Sequence, residues 1–258
     1  MASRAPFSSW STPSQAGGEL ARRLELARES RPEDEHGRPS GLRLAGELDV
    51  LLEPVRRPVR KLDIVQSANP KIVMILPGFF TGPMRMRYLA KQIERAGHKT
   101  KRWGLGFNFG PTPENIAMLE QRLLEINDRY DCQPVLLGWS LGGLFARELA
   151  KRQPEKVAKV ITMGSPFSGN PRANNAWRLY QFVTGHRVDQ PPVEHEVSGK
   201  PPVETVAMWS PRDGVVSPRS SRGMPGERDR AIGIRCTHLG FSYHPKAVQT
   251  VLSELERD

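Results

Sequence analysis

Ser140 lies at the centre of Gly138-Trp139-Ser140-Leu141-Gly142, the stretch of the chain whose residue types and spacing bear most directly on chemistry. A serine hydroxyl is a poor nucleophile at neutral pH. It needs a base within hydrogen-bond reach and a backbone that lifts it clear of its surroundings. A Gly-x-Ser-x-Gly turn between a strand and a helix meets the second need: the glycines let the two elements come together, and the serine is held in a strained conformation at the tip. The five-residue pattern alone is weak, because Gly and Ser are common. Its context strengthens it, with the apolar run Pro134-Val135-Leu136-Leu137 before it and a helical pattern from Leu141 to about Arg152 after it. The alternative reading is an ordinary strand-to-helix turn.

A base and an acid must then come from other strand ends. Of six histidines, His238 follows the apolar run Ala231 to Cys236 by two residues, as a base reaching Ser140 from a strand end should. His244, beside Pro245 at the start of the last predicted helix, is its rival. His36, His98, His186 and His195 are placed in the N-terminal arm, at the wrong end of a strand, or in an insertion. Asp213 comes just after the apolar run Val206-Ala207-Met208-Trp209, where a carboxylate can hold the histidine in one tautomer. A plain Asp-Gly turn with Gly214 is the competing reading. Asp128, Asp131 and Asp189 lie on helix ends or in the insertion, away from the strand ends. The free N–H groups at the start of the helix after Ser140 can hold a developing negative charge, which makes the Leu141 N–H one oxyanion donor. The second expected donor is the Phe79 N–H, in Pro77-Gly78-Phe79-Phe80-Thr81-Gly82 after the first strand of the body.

These residues need a scaffold, and the patterning from Lys71 onward supplies one. Strand-like and helix-like segments alternate, as in a mostly parallel central sheet with helices on both faces, an α/β fold. Strands are predicted at Ile72–Leu76, Lys99–Trp103, Pro134–Leu137, Val157–Met163, Val206–Trp209 and Ala231–Cys236. Helices are predicted at Met84–Ala96, from Thr112-Pro113 with Ile116, Leu119, Leu123 and Ile126 inward, at Leu141–Arg152 and at Pro245–Glu256. The alternation stops at 165–202, an insertion with one helical stretch through Ala173, Ala176, Trp177 and Tyr180 that Gly185 closes. Upstream, Leu42, Ala45, Leu48, Leu51 and Leu52 recur at helical spacing and predict an amphipathic helix packing on the main domain. Residues 1–40 read as a flexible arm, and 41–258 as one domain capped by 165–202.

Bulk properties exclude some classes. The formal charge is +10, but the densest basic patch is Arg56-Arg57 with Arg60-Lys61, and elsewhere Lys and Arg alternate with acids as on a solvated face. With no RNA-binding signature and no zinc-ligand spacing, neither a specific nucleic-acid partner nor a metal is expected. The charge is compatible with peripheral contact with anionic membrane surfaces. Cys132 and Cys236 sit beside different strands with nothing to pair them, which fits a reducing compartment. No apolar run is long enough for a transmembrane segment or resembles a signal-peptide core, so a cytoplasmic location is expected. Oligomeric state leaves no trace in the sequence.

Together the segments Leu76-Pro77-Gly78-Phe79, Gly138-Trp139-Ser140-Leu141-Gly142-Gly143, Gly164-Ser165-Pro166-Phe167-Ser168-Gly169, Ser210-Pro211-Arg212-Asp213-Gly214-Val215-Val216 and His238-Leu239-Gly240 resemble the α/β-hydrolase superfamily, and within it small bacterial lipase-like and esterase-like hydrolases. The resemblance covers Lys71 to Glu256, with the order Ser, Asp, His. It implies hydrolysis of carboxylic esters through an acyl-enzyme, with no cofactor and no metal, and a small-molecule ester or acyl substrate. Pro77 departs from it, standing where many relatives carry a His that braces the oxyanion loop. Phe80 and Trp139, with Trp177 and Tyr180 of the insertion, are the candidates for the substrate pocket. An acyltransferase, an amidase, a polyester depolymerase, or a non-catalytic binding protein would use the same scaffold. The insertion reads either as a mobile lid or as a packed cap.

Overall fold

A computed structural model describes residues 13–30, 37–57, 59–193 and 197–257 of the chain. In chain order the helices are α1 (Pro13–Arg28), α2 (Gly41–Gly46), α3 (Glu53–Arg56), α4 (Pro83–Arg95), α5 (Pro113–Tyr130), α6 (Leu141–Arg152), α7 (Trp177–Thr184), α8 (Pro218–Arg222) and α9 (Pro245–Leu255). The strands are β1 (Ile72–Leu76), β2 (Lys99–Arg102), β3 (Val135–Trp139), β4 (Lys159–Met163), β5 (Glu204–Trp209) and β6 (Arg230–Gly233). Among the described residues the six strands form one sheet in the order β2-β1-β3-β4-β5-β6, every neighbouring pair parallel. This is the doubly wound α/β arrangement that the alternation predicts, and it brings the carboxyl ends of β1, β3, β4 and β5 to one edge.

Side-chain alternation along the strands divides the core in two. Val73, Ile75, Val135, Leu137, Ile161, Met163, Val206 and Met208 face α4 and α9 through Met86, Leu89, Ile93, Val248 and Val251. Met74, Leu76, Leu136 and Val160 face α5 and α6 through Ile116, Leu119, Leu123, Ile126, Phe145 and Leu149. With both faces covered, the central strands must be apolar throughout, which is why Ile72–Leu76 reads as an unbroken run. Thr112 caps α5 by accepting the Asn115 N–H at 3.2 Å, with Pro113 opening the helix. The last strand ends sooner than its apolar residues suggest, at Gly233.

The segment at 41–56 differs from expectation. In place of one amphipathic helix with leucines inward there are α2, a 3-10 turn at Glu47–Leu52, and α3. Its leucines point outward, Leu42 being 86% exposed, while Glu47 and Glu53 are buried. The surface that this segment meets consists of loop backbone and arginine side chains rather than apolar helix, so carboxylates that accept their hydrogens are the residues favoured inside. The densest basic patch is paired within this segment, Arg56 with Asp49, and Arg57 and Arg60 with Glu53.

Upstream, the expected loose arm is in its described part a docked helix. α1 packs against α7. Arg22 donates to the Gly185 carbonyl at 2.9 Å and Arg23 to the Val183 carbonyl at 2.7 Å. Glu29 accepts from Arg172 and Arg187. Gly185 ends α7 in the left-handed region at φ 72°, as expected of it. No helix among the described residues is long and apolar enough to cross a membrane.

Candidate active site

Ser140 sits between the end of β3 and the first residue of α6, at φ 54° and ψ −124°. A non-glycine residue is rarely held at positive φ, and the surroundings enforce it here. A Cβ at Gly142 would lie 2.2 Å from the Leu76 carbonyl oxygen, and one at Gly138 2.4 Å from the Gly142 carbonyl oxygen. Both glycines are therefore demanded by close backbone approach. The Ser140 N–H donates to the Met163 carbonyl at 2.8 Å, tying the turn to the end of β4.

Asp213 and His238 are brought together as the sequence predicts. Asp213 is fully buried, and its Oδ2 lies 2.8 Å from His238 Nδ1. Its Oδ1 accepts the N–H groups of Val215 and Val216, each at 2.8 Å. One oxygen thus closes the Asp-Gly turn and the other meets the imidazole. A carboxylate at Nδ1 favours the proton on that nitrogen and leaves Nε2 as an acceptor. The His238 ring packs 5.4 Å from that of Trp139, the residue before Ser140, and Trp139 Nε1 donates to the His238 carbonyl at 3.1 Å. Burial alone would pull the His238 pKa down, but the charge and hydrogen bond of Asp213, with a contribution from Glu47, outweigh it and hold it above the ordinary value. His244 instead caps α9, accepting the Lys246 N–H at Nδ1. His98 lies at the opposite end of the sheet beside Lys71 and Glu256. His36 and His195 fall outside the described residues.

Among the described residues no hydrogen bond engages the N–H of Phe79 or of Leu141, and both residues line the cavity that opens at Ser140. The loop carrying Phe79 is latched by Asn108, a fully buried residue in the Gly-rich stretch after β2. Its Nδ2 donates to the Pro77 carbonyl at 2.8 Å, its carbonyl accepts the Phe80 N–H at 2.7 Å, and its own N–H reaches the Thr81 carbonyl at 2.9 Å. Asn108 supplies the bracing that Pro77 cannot. Sequence reasoning missed it, although an Asn within Gly104 to Gly110 is the residue type that bonds local backbone. Gly164 was also missed as a site residue. It has φ 60°, and a Cβ there would stand 3.0 Å from His238 Nδ1 and 3.1 Å from Asp213 Oδ2, so only glycine leaves room for the pair.

The cavity measures about 910 Å³ including its open mouth, and its walls are apolar apart from Ser140, Asn174 and Glu148. Trp177 and Tyr180 line it, with Phe79, Leu144, Val193 and Val216. Two of the four pocket candidates are placed elsewhere. Trp139 is buried beneath His238, with the Arg85 guanidinium 5.7 Å from its ring centroid, because odd-numbered residues of β3 face the α4 side of the sheet. Phe80, at φ 54°, does not line the cavity and lies half exposed between Phe79 and Phe109, with ring centroids 6.2 and 6.0 Å away. No cluster of residues suited to a metal ion occurs among the described residues.

Comparison with known proteins agrees with this geometry. A family model described as the alpha/beta hydrolase fold matches residues 71–190. Curated relatives include the pimeloyl-[acyl-carrier protein] methyl ester esterase of Aromatoleum aromaticum, 42% identical over 67 residues that cover 26% of this chain and 24% of that protein. The same-named esterase of Edwardsiella ictaluri is 36% identical over 92 residues, covering 33% of this chain and 34% of that protein. The chain thus spans about a quarter to a third of the length of these relatives. Similar solved structures include the monoacylglycerol lipase of Paleococcus ferrophilus, with TM-score 0.54, 15% identity, and coverage of 76% of this chain and 99% of that one. A structure of the metagenome-derived lipolytic enzymes LipS and LipT has TM-score 0.52 at 16% identity, covering 76% and 97%. At such identities the likeness is one of fold. The parallel sheet, the strained serine turn and these matches show the alpha/beta hydrolase fold in this chain.

Proposed function

We propose that the protein is a serine hydrolase that cleaves carboxylic esters of apolar acyl groups through an acyl-enzyme. The observation that carries this reading is the buried Asp213–His238 pair packed against the Ser140 turn, at the mouth of an apolar cavity. The curated relatives are named as methyl ester esterases, which supports the ester bond as the target.

In the proposed reaction Ser140 Oγ attacks the ester carbonyl carbon while His238 Nε2 takes its proton, and Asp213 stabilises the imidazolium. The oxygen of the tetrahedral intermediate accepts the N–H groups of Phe79 and Leu141, each donor being worth about 3 kcal/mol. Collapse expels the alcohol, which takes the proton from His238. Water, deprotonated by His238, then attacks the acyl-serine, and the carboxylic acid leaves as the bond to Ser140 Oγ breaks and that oxygen takes the proton back from His238. Residues 41–258 form the hydrolase domain, with 165–202 as the cap whose Trp177 and Tyr180 wall the acyl pocket.

Ser140→Ala tests it. Hydrolysis of a nitrophenyl ester is expected to fall by about a millionfold in kcat, and labelling by a fluorophosphonate probe to vanish. Unchanged turnover in the variant would remove Ser140 as the nucleophile.

A further inference from the structure

Glu47 is a carboxylate buried outside the sheet and its loops, with 6% of the residue exposed. It lies 24 residues before the matched family region begins at 71. Its Oε1 accepts the Gly214 N–H at 2.9 Å and the His238 N–H at 2.7 Å, and its Oε2 accepts the Leu239 N–H at 2.8 Å. Gly214 directly follows Asp213, and Leu239 directly follows His238. One carboxylate therefore ties the loop of the acid to the loop of the base, through three donors that would otherwise be left unpaired.

The segment that carries Glu47 is built to hold it there. A Cβ at Gly214 would stand 2.3 Å from the Arg43 carbonyl oxygen and 2.8 Å from Leu44 Cα, so the backbone of α2 rests directly on the acid loop. At the other end, Arg60 bonds both oxygens of buried Glu53, at 2.8 and 2.9 Å, and donates to the Tyr243 carbonyl at 2.8 Å. From the opposite side Arg85 of α4 donates to the Leu239 carbonyl at 3.0 Å. The histidine loop is thus clamped by the upstream segment and by α4.

We infer that Glu47 is a positioning residue that sets the Asp213–His238 pair from outside the hydrolase core, an inference that rests on the Ser140 reading above. A misplacement of about 1 Å in such a constellation lowers the rate by about a hundredfold. Its negative charge also acts on the base. The charged groups facing His238 are Asp213 after β5, Glu47 after α2 and Arg85 on α4: the two carboxylates favour the imidazolium and Arg85 opposes it. Removing the Glu47 charge therefore moves the titration of His238 to lower pH.

The experiment follows nitrophenyl ester hydrolysis and fluorophosphonate labelling against pH in the full chain and in Glu47→Gln, Glu47→Asp and Ser140→Ala, with thermal melts to confirm folding. Glu47→Gln is expected to lose about tenfold to a hundredfold in kcat with little change in KM, and its acid limb to move to lower pH. Glu47→Asp keeps the charge but withdraws it from the three N–H groups, so kcat is expected to fall while the acid limb stays with the wild type. A folded Glu47→Gln with the wild-type kcat and acid limb overturns the inference. Should Glu47→Gln not fold, a wild-type kcat in Glu47→Asp overturns it instead. Failure of both variants to fold assigns Glu47 a purely structural role and also overturns it. An active Ser140→Ala, or a wild type that takes no probe, defeats the nucleophile reading itself and the inference with it. An inactive Ser140→Ala beside a wild-type-like Glu47→Gln defeats the inference alone.

Discussion

Only the neutral form of His238 can accept a proton from Ser140, so its neighbours are written into the pH dependence of the reaction. Burial disfavours its charge, while Asp213 and Glu47 favour it and prevail, so the pKa is raised. The fraction of neutral base then falls as pH drops through a value above about 6.5, the ordinary histidine pKa. The kcat/KM profile of a nitrophenyl ester is expected to show its acid limb above that value. A limb below it would mean that burial, not the carboxylates, governs this imidazole. The two oxygens of Asp213 explain why its competing readings did not exclude each other: Oδ1 closes the turn and Oδ2 holds the base.

At the scale of elements, the sheet and its crossovers hold the Ser140 turn, while α7 walls the cavity beside it. α7 presents Trp177 and Tyr180 to the cavity, with the Tyr180 ring 5.3 Å from that of Phe79, the residue proposed as an oxyanion donor. On the proposed function, substrate choice is a property of α7 more than of the turn at Ser140. Tyr180→Ala is expected to raise the kcat/KM ratio of a long-chain over a short-chain nitrophenyl ester by about tenfold, the scale of a methylene-sized change in an apolar pocket. An unaltered ratio would take Tyr180 out of the acyl wall. The outward leucines of 41–56 carry a separate lesson. Periodicity reveals which residues of a segment share a face, but not whether the surface they could meet is apolar.

Across the whole molecule, the residues before the sheet are woven into both halves of the site. Residues 41–60 reach the acid and base loops through Glu47, and α1 supports the cap. Glu29, just past α1, accepts from Arg172 at 2.6 Å, and the Arg172 guanidinium lies 5.3 Å from the ring centroid of the pocket residue Trp177. Arg172 is buried, and its other carboxylate contact, Asp189, is longer at 3.4 Å. Glu29→Ala should destabilise the fold by about 1 to 2 kcal/mol, read in a thermal melt as a drop in Tm of roughly 2 to 8 °C. A Tm within a degree of wild type would show that the Glu29–Arg172 contact contributes nothing to stability.

What the sequence by itself determined is what short-range pattern controls. An apolar run bounded by turn residues specifies a buried strand, a 3.6-residue period specifies the inner face of α5, and glycines two residues either side of Ser140 specify a tight strand-to-helix turn. Asp213 and His238 were legible because parallel strands deliver their following loops to one edge, so position after a strand stands in for position in space. The tertiary structure alone decided the contacts of Glu47, Asn108 and Gly164, the placing of Trp139 and Phe80 away from the cavity, and the docking of α1. Each of these depends on which orphaned N–H group, which neighbouring ring or which crowded backbone a residue meets from a distant part of the chain. Local spacing carries no record of such partners, because hydrogen-bond demand and free volume exist only once the loops have been brought together.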